Sequence, residues 1–229
     1  ATQHARAAGL LAIVGTGSNN THHAAELQKF AKSVGADATL SVNPYYNKPT
    51  QEGLYRHFMA VADAAPIPVV LYNIPGRTGV ALAPATVERL NKHQNIVAIK
   101  EATGSLDSAT EICLHCPDLS LLSGDDSLTL PFAAVGGMGV VSVVSNLVPA
   151  KVAGLCRAFA EGRQADAIKL HRELFDLCRA MFIETTPIPI KAALKMLGRD
   201  TGSLRLPMTD ATPATLAAVR QALAAAGLA

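Results

Sequence analysis

Residues Asn95-Ile96-Val97-Ala98-Ile99-Lys100-Glu101-Ala102-Thr103-Gly104 decide how the rest of the chain is read. Ile96 to Ile99 place apolar side chains on both faces of a strand. A strand apolar on both faces needs cover on both sides, which points to a parallel sheet with helices packed around it. The run ends on a lysine. An ammonium at the end of such a strand is costly to desolvate unless it is paired or gives up its charge. A neutral amine is a nucleophile towards carbonyls, so the position suits Schiff-base chemistry. The residues alone leave two readings open: Lys100 as that nucleophile, or Lys100 paired with a carboxylate such as Glu101 or emerging into solvent.

On either side of this stretch, apolar runs alternate with helical patterns. Leu10 to Gly15, Ala38 to Val42, Pro68 to Tyr72, Leu119 to Leu122 and Val140 to Val144 read as further strands. Asn20 or Thr21 can cap the first intervening helix, whose face is read as Ala25, Leu27, Phe30, Ala31 and Val34, with Gly35 at its end. Gly53 to Ala64 is helical up to Pro66, Pro84 sits at a helix start, and Leu106 to Leu114 is helical. Asp126 is placed to cap the helix after Ser123. From Pro149 onward only helices are expected, at about 150–161, 164–182, 188–197 and 212–226. Strands every 25 to 30 residues with helices between them define an α/β fold. Thr16, Asn43 to Tyr46, Tyr72 to Arg77, Lys100, Gly124 and Val141 all fall just past strand ends, the rim where a (β/α)8 barrel keeps its active site. Gly15-Thr-Gly17 is too short for a dinucleotide fingerprint, and no acidic residue ends the following strand, so the barrel is preferred to a doubly wound sheet. Residues 1–161 are expected to form about six β/α units and residues 162–229 a C-terminal helical region.

Composition removes several function classes. At 229 residues with 20 Lys+Arg against 18 Asp+Glu, the net charge of +2 offers no field for nucleic acid. Aromatic residues are 4% and Trp is absent, so a base-stacking platform is not expected. Leu128 to Ala150 carries no charge and is long enough to cross a bilayer. Pro131, Gly136, Gly137, Gly139, Ser142, Ser145, Asn146 and Pro149 break it into helix, turn, strand and loop instead. Cytoplasmic placement and no membrane contact are the expectations. Cys113-Leu-His-Cys116 matches C-x-x-C but has no second pair to complete a zinc site, and a structural role is favoured; no metal or cofactor is expected.

Six ordered motifs then carry a resemblance: Gly15-Thr-Gly17, Asn43-Pro-Tyr-Tyr-Asn-Lys-Pro49, Tyr72-Asn-Ile-Pro-Gly-Arg-Thr-Gly79, Ile99-Lys-Glu-Ala-Thr-Gly104, Ser123-Gly-Asp-Asp126 and Pro187-Ile-Pro-Ile-Lys191. Together they resemble the 4-hydroxy-tetrahydrodipicolinate synthase (dihydrodipicolinate synthase) family of pyruvate-dependent class I aldolases, over essentially the whole chain. The resemblance implies a lyase of lysine and diaminopimelate biosynthesis that condenses pyruvate with aspartate semialdehyde. It implies Lys100 as the imine-forming residue and Tyr72 as proton donor and acceptor. Tyr46 becomes a relay tyrosine contributed across a subunit interface, and Tyr45 beside it an interface residue and, with Asn19 and His23, a candidate for an effector site. Arg77 is matched to the acceptor's carboxylate, and Val141 and Gly124 to the lining of the pyruvate pocket. A homo-oligomer, dimer or tetramer, follows from the same likeness.

Two departures qualify it. Where lysine-inhibited relatives carry an Asn and a Glu on the first helix here, this chain has Asn19 but His23, and imidazole cannot replace a carboxylate as partner for an ammonium. The family's Gly-Thr-Thr-Gly-Glu motif has no counterpart; Thr185-Thr186 has the wrong neighbours. The chain is therefore expected to be a (β/α)8 TIM barrel lacking its first two β/α units, and to be impaired as a catalyst. The alternatives are a sibling pyruvate-dependent lyase, of the N-acetylneuraminate lyase or keto-deoxy sugar acid aldolase type, and a non-catalytic relative.

Overall fold

A computed structural model describes residues 2–199 and 202–228, in two compact units. The first unit runs to Gly124 and includes Ala134–Met138. It contains α1 (Thr2–Ala7), β1 (Ile13–Gly15), α2 (Thr21–Ser33), β2 (Ala38–Val42), α3 (Gln51–Asp63), β3 (Val69–Asn73), α4 (Pro75–Thr78), α5 (Pro84–Leu90), β4 (Ile96–Glu101), α6 (Leu106–His115) and β5 (Ser120–Ser123). β1 to β5 pair in chain order and all in parallel, each reached through a helical crossover, as the two-faced apolar strand required.

The helices start where the sequence offers a cap. Asn20, Thr50 and Ser105 side chains accept from the backbone N–H of His23, Gly53 and Ser108, and Pro84 opens α5 with its preset φ. On α3, Leu54, Phe58 and Val61 recur at helical spacing and are fully buried. Each contributes roughly 1.5–3 kcal/mol of transfer free energy.

Two readings of this unit change. Leu10, Leu11 and Ile13 are exposed and the strand begins only at Ile13. β1 pairs with β2 alone among the described strands, so nothing extends the ladder over the preceding apolar run. On α2 the buried residues are Ala24, Gln28 and Ala31, while Phe30 is 62% and Val34 42% exposed. Small side chains let the helix approach closely, and Gln28 finds a partner in the Thr16 hydroxyl, which donates to Oε1 at 3.4 Å.

The second unit comprises Asp125–Ala133 and the chain from Gly139 onward. It includes β6 (Gly139–Val140), α8 (Pro149–Ala160), α9 (Gln164–Ala180), α10 (Ile188–Met196) and α11 (Pro213–Ala225); α7 (Thr129–Ala134) runs to its edge. Val148, Leu155, Leu174, Leu177, Met181, Ile190, Val219 and Leu223 form its core. The division expected at 161/162 follows element type; by packing, α8 and α9 lie together in this unit.

Asp126 does not cap a helix. Its buried carboxylate accepts from Val143 N (2.8 Å), Val144 N (3.2 Å) and the Ser142 hydroxyl. Three donors outweigh the single N–H that capping would satisfy. The same bonds explain why the strand expected over Val140 to Val144 stops at Val140: amides held by a carboxylate cannot join a ladder, and Val144–Asn146 turns as a 3-10 helix. The uncharged run 128–150 is thus divided as its Pro and Gly residues foretold, and among the described residues no helix is long and apolar enough to cross a membrane. Cys113 and Cys116 are free, and burial raises both thiols above their ordinary range, so neither is poised as a thiolate.

His57, on the inner face of α3, is 4% exposed. Its Nδ1 meets the Thr21 hydroxyl at 2.9 Å, and Nε2 has no partner among the described residues. Burial pushes its pKa from 6.5 down to about 4. A histidine that protonates more readily when unfolded contributes full stability above pH 6.5, and that stability is lost as pH falls towards 4. Chemical denaturation at pH 7 and pH 4.5 should therefore show a larger acid loss for the wild type than for His57→Gln. The expected difference is about 2–3 kcal/mol; equal losses would show that the imidazole titrates normally.

Candidate active site

The site is built at the C-terminal tips of β2, β3, β4 and β5, where side chains alternate between two faces. Val42, Tyr72, Lys100 and Leu122 are cross-strand neighbours in one row. Asn73, Glu101 and Ser123 form the next row, on the opposite face, with Asn43 joining from the end of β2.

The first row brings the expected amine and phenol together. Lys100 Nζ sits over the Tyr72 ring, 4.0 Å from its centroid, a cation–π contact that holds the amine beside a phenol. Tyr72 also lines a groove of about 490 Å³, together with Leu40, Val42, Tyr45, Ile74 and Arg77. The groove thus has apolar walls, with a phenol and a guanidinium on its rim. That combination suits a small carbonyl compound bearing a carboxylate.

The second row has no role that the sequence alone assigns. Glu101, considered there as a partner for Lys100, faces the other way and is fully buried. Its carboxylate accepts from Asn73 Nδ2 (2.9 Å) and Thr103 N (2.7 Å). Asn73 Oδ1 in turn accepts from Asn43 Nδ2 at 3.1 Å. The available signal was positional: a polar residue directly follows a strand residue of the first row in each case. A carboxamide or carboxylate buried at that place must be spent on hydrogen bonds.

The other expected residues do not all converge on the groove. Tyr45 lies on the groove wall, and its carbonyl accepts from Asn19 Nδ2 at 3.2 Å, so two of the three effector-site candidates meet. The third, His23, is exposed in the first turn of α2, where its backbone N–H serves the Asn20 cap. Tyr46 is 88% exposed with φ 73°, a left-handed conformation unusual for a tyrosine, and does not line the groove. Gly124 continues β5 and donates its N–H to Glu101 O at 2.8 Å. Val141 follows β6 in the second unit.

Fold and site define a parallel α/β protein with an amine–phenol pair at adjacent strand ends and an arginine lining the groove beside it. The profile of the dihydrodipicolinate synthetase family matches residues 5–226, and the chain belongs to that family. It is 54% identical over 206 residues to a 4-hydroxy-tetrahydrodipicolinate synthase of Citrifermentans bemidjiense, covering 90% of this chain and 71% of the relative. The crystal structure of dihydrodipicolinate synthase from Aquifex aeolicus superposes with a TM-score of 0.96 at 46% identity, over 99% of this chain and 78% of that one. The enzyme from Cyanidioschyzon merolae, solved with lysine bound, gives a TM-score of 0.94 at 45% identity, over 96% and 75%.

Gly124 is required here by space. A Cβ built on it would stand 2.5 Å from Ala102 Cβ and 3.2 Å from Glu101 O. Gly124→Ala should force the tips of β4 and β5 apart and lower stability by about 1–3 kcal/mol in urea denaturation. Alanine at Gly76, where a Cβ meets nothing within 4 Å, should change little. Equal stability of the two variants would refute the packing argument.

Proposed function

We propose that this chain condenses pyruvate with aspartate semialdehyde through a Schiff base, as a class I aldolase-type lyase of lysine and diaminopimelate biosynthesis. The observation that carries the reading is the seating of Lys100 Nζ on the ring of Tyr72, in register at adjacent strand ends. The neutral amine adds to the keto carbon of pyruvate, the carbinolamine loses water, and an iminium remains. Loss of a methyl proton gives the enamine, whose carbon attacks the aldehyde of the acceptor. Proton transfers in this sequence need a group within hydrogen-bond reach that can both give and take, and the Tyr72 phenol is assigned that work. Arg77 presents a planar fork for the acceptor's carboxylate. Sibling lyases share the amine and the phenol; the arginine loop and family membership favour the synthase.

The finer structural reading belongs to the same proposal. β1 to β5, parallel and in chain order, are taken as consecutive strands of a (β/α)8 barrel with β1 as the third. Tyr46, exposed on a loop whose backbone is held by the Asn19 side chain at Tyr45 O and by the Thr78 carbonyl at Tyr46 N, is assigned to a neighbouring copy's relay in a cytoplasmic homo-oligomer. Asn19 and Tyr45 provide polar and aromatic contacts for a lysine effector, and His23 makes such binding weak.

Incubation with pyruvate and borohydride should add a reduced pyruvyl group to the peptide containing Lys100, and Lys100→Ala should abolish it. Tyr72→Phe keeps a ring under the amine but loses the hydroxyl, so trapping should proceed about 10²-fold more slowly. Arg77→Ala should trap pyruvate normally while losing roughly 2–4 kcal/mol in the acceptor step, measured as kcat/KM for aspartate semialdehyde. Labelling that survives Lys100→Ala would sink the assignment.

A further inference from the structure

The segment that returns from Arg77 to α5 pairs with no strand among the described residues, yet three of its consecutive carbonyls each receive a side-chain amide. Val80 O accepts from Asn43 Nδ2 at 3.3 Å, Ala81 O from Gln51 Nε2 at 2.8 Å, and Leu82 O from Asn73 Nδ2 at 3.1 Å. Leu82 N donates back to Asn73 Oδ1 at 2.9 Å, so this side chain copies the two-way pairing of a strand neighbour. Gln51 bridges two residues instead, donating to Ala81 O and accepting at Oε1 from Ala83 N at 3.0 Å, and Oε1 also accepts from the Thr86 hydroxyl at 2.8 Å. Thr78 closes the turn from within, its hydroxyl donating to Val80 O at 2.9 Å.

Asn73 is the hub. It directly follows Tyr72, its Nδ2 also donates to Glu101 Oε2 at 2.9 Å, and its Oδ1 also accepts from Asn43. Both amide hydrogens and both lone pairs of Oδ1 are thus engaged, and the residue is fully buried. One side chain therefore couples three things: the tip of the strand bearing Lys100, the tip of the strand bearing Tyr72, and the segment that directly follows α4, the turn bearing Arg77.

We propose that Asn73 is a positioning residue that sets acceptor selectivity, holding the Arg77 loop at a fixed place relative to the Lys100 strand. The inference rests on the reading of Arg77 as the acceptor's carboxylate partner. A fork reads a carboxylate bidentately only if its backbone is held to a fraction of an ångström, and the single turn of α4 that carries Arg77 runs straight into a segment that joins no ladder among the described residues. The amide clamp supplies what the ladder would have supplied. Imine formation depends on Lys100 and Tyr72, which are held by the β3–β4 ladder itself, so it is separable from the clamp.

The test uses Asn73→Asp and Gln51→Ala in the full chain. In Asn73→Asp the ionised side chain still accepts from Leu82 N but cannot donate to Leu82 O or Glu101, and the two carboxylates repel. At lower pH the pair shares a proton and the bond to Glu101 returns. Glu101 is the ionisable group this side chain touches; Asn43 and the Leu82 peptide are neutral. At pH 8, amides of residues 79–83 in Asn73→Asp should exchange at least tenfold faster than in wild type. The preference for aspartate semialdehyde over an aldehyde of equal length without the carboxylate should fall at least tenfold. Borohydride trapping of pyruvate on Lys100 should stay within threefold. At pH 6 exchange and preference should both move back towards wild type measured at that pH. Gln51→Ala, at a partly exposed position, should shift exchange and preference in the same direction, by less and without the pH dependence. Unchanged exchange in both variants overturns the proposal, as does trapping that falls in step with the acceptor reaction. A wild-type chain that shows no preference for the carboxylate would instead refute the reading of Arg77, even where the exchange data support the clamp.

Discussion

The arrangement of the first unit depends on one irregularity in the pairing of β3 with β4. Val69 pairs with Ile96, but Val70 pairs with Ala98, so β4 spends one extra residue, Val97. Because side chains alternate with a period of two, a slip of one residue exchanges the faces of everything beyond it. Continued without the slip, the register would set Tyr72 beside Ile99 and Asn73 beside Lys100. With it, Tyr72 stands beside Lys100 and Asn73 beside Glu101. The contact between amine and ring, and the bond between carboxamide and carboxylate, both follow from that single step.

The two rows so created divide the labour. The row of Val42, Tyr72, Lys100 and Leu122 presents an amine and a phenol on one face. The row behind it is polar, buried and hydrogen-bonded, and adds little net stability, since each bond made replaces one to water. Its contribution is definition: a buried carboxylate and two carboxamides have few ways to be satisfied at once, so the strand tips and the Arg77 loop are held in one arrangement. The satisfaction is not complete, because Asn43 Oδ1 has no partner among the described residues. Stability comes from elsewhere, from the apolar faces of α3, α5 and α6 on the sheet and from the helical core of the second unit.

Both units stop a strand with a buried carboxylate. Glu101 takes the N–H of Thr103 just past β4, and Asp126 takes those of Val143 and Val144 just past β6. Each carboxylate removes backbone donors from the ladder and bends the chain into a turn. The consequence is practical at a strand end that must present a side chain, since the backbone after it is directed by a charge-assisted bond instead of being left to solvent.

Much of this was legible in the chain itself. Ile96 to Ile99, apolar on both faces, required parallel neighbours and covering helices, and Asn20 and Pro84 marked where two of those helices begin. Lys100 at the end of that run, Tyr72 at the end of the preceding one and Arg77 five residues later stood out as candidates, because polar groups at the ends of buried strands need a reason to be there, and the structure brings the first two into contact. Local pattern could not reveal that α2 buries Ala24, Gln28 and Ala31 in place of Phe30 and Val34, since the helix faces a partner whose distance only packing sets. It could not reveal that Val140 would end its strand, because the competing acceptor, Asp126, lies fourteen residues earlier. Nor could it show the extra residue at Val97 or the role of Asn73. Register is a relation between two strands, and a hydrogen bond from residue 73 to residues 82 and 101 exists only once the sheet has brought the three together. The residue types and their order determined which chemistry this protein can hold; the tertiary structure decided which of those residues face one another.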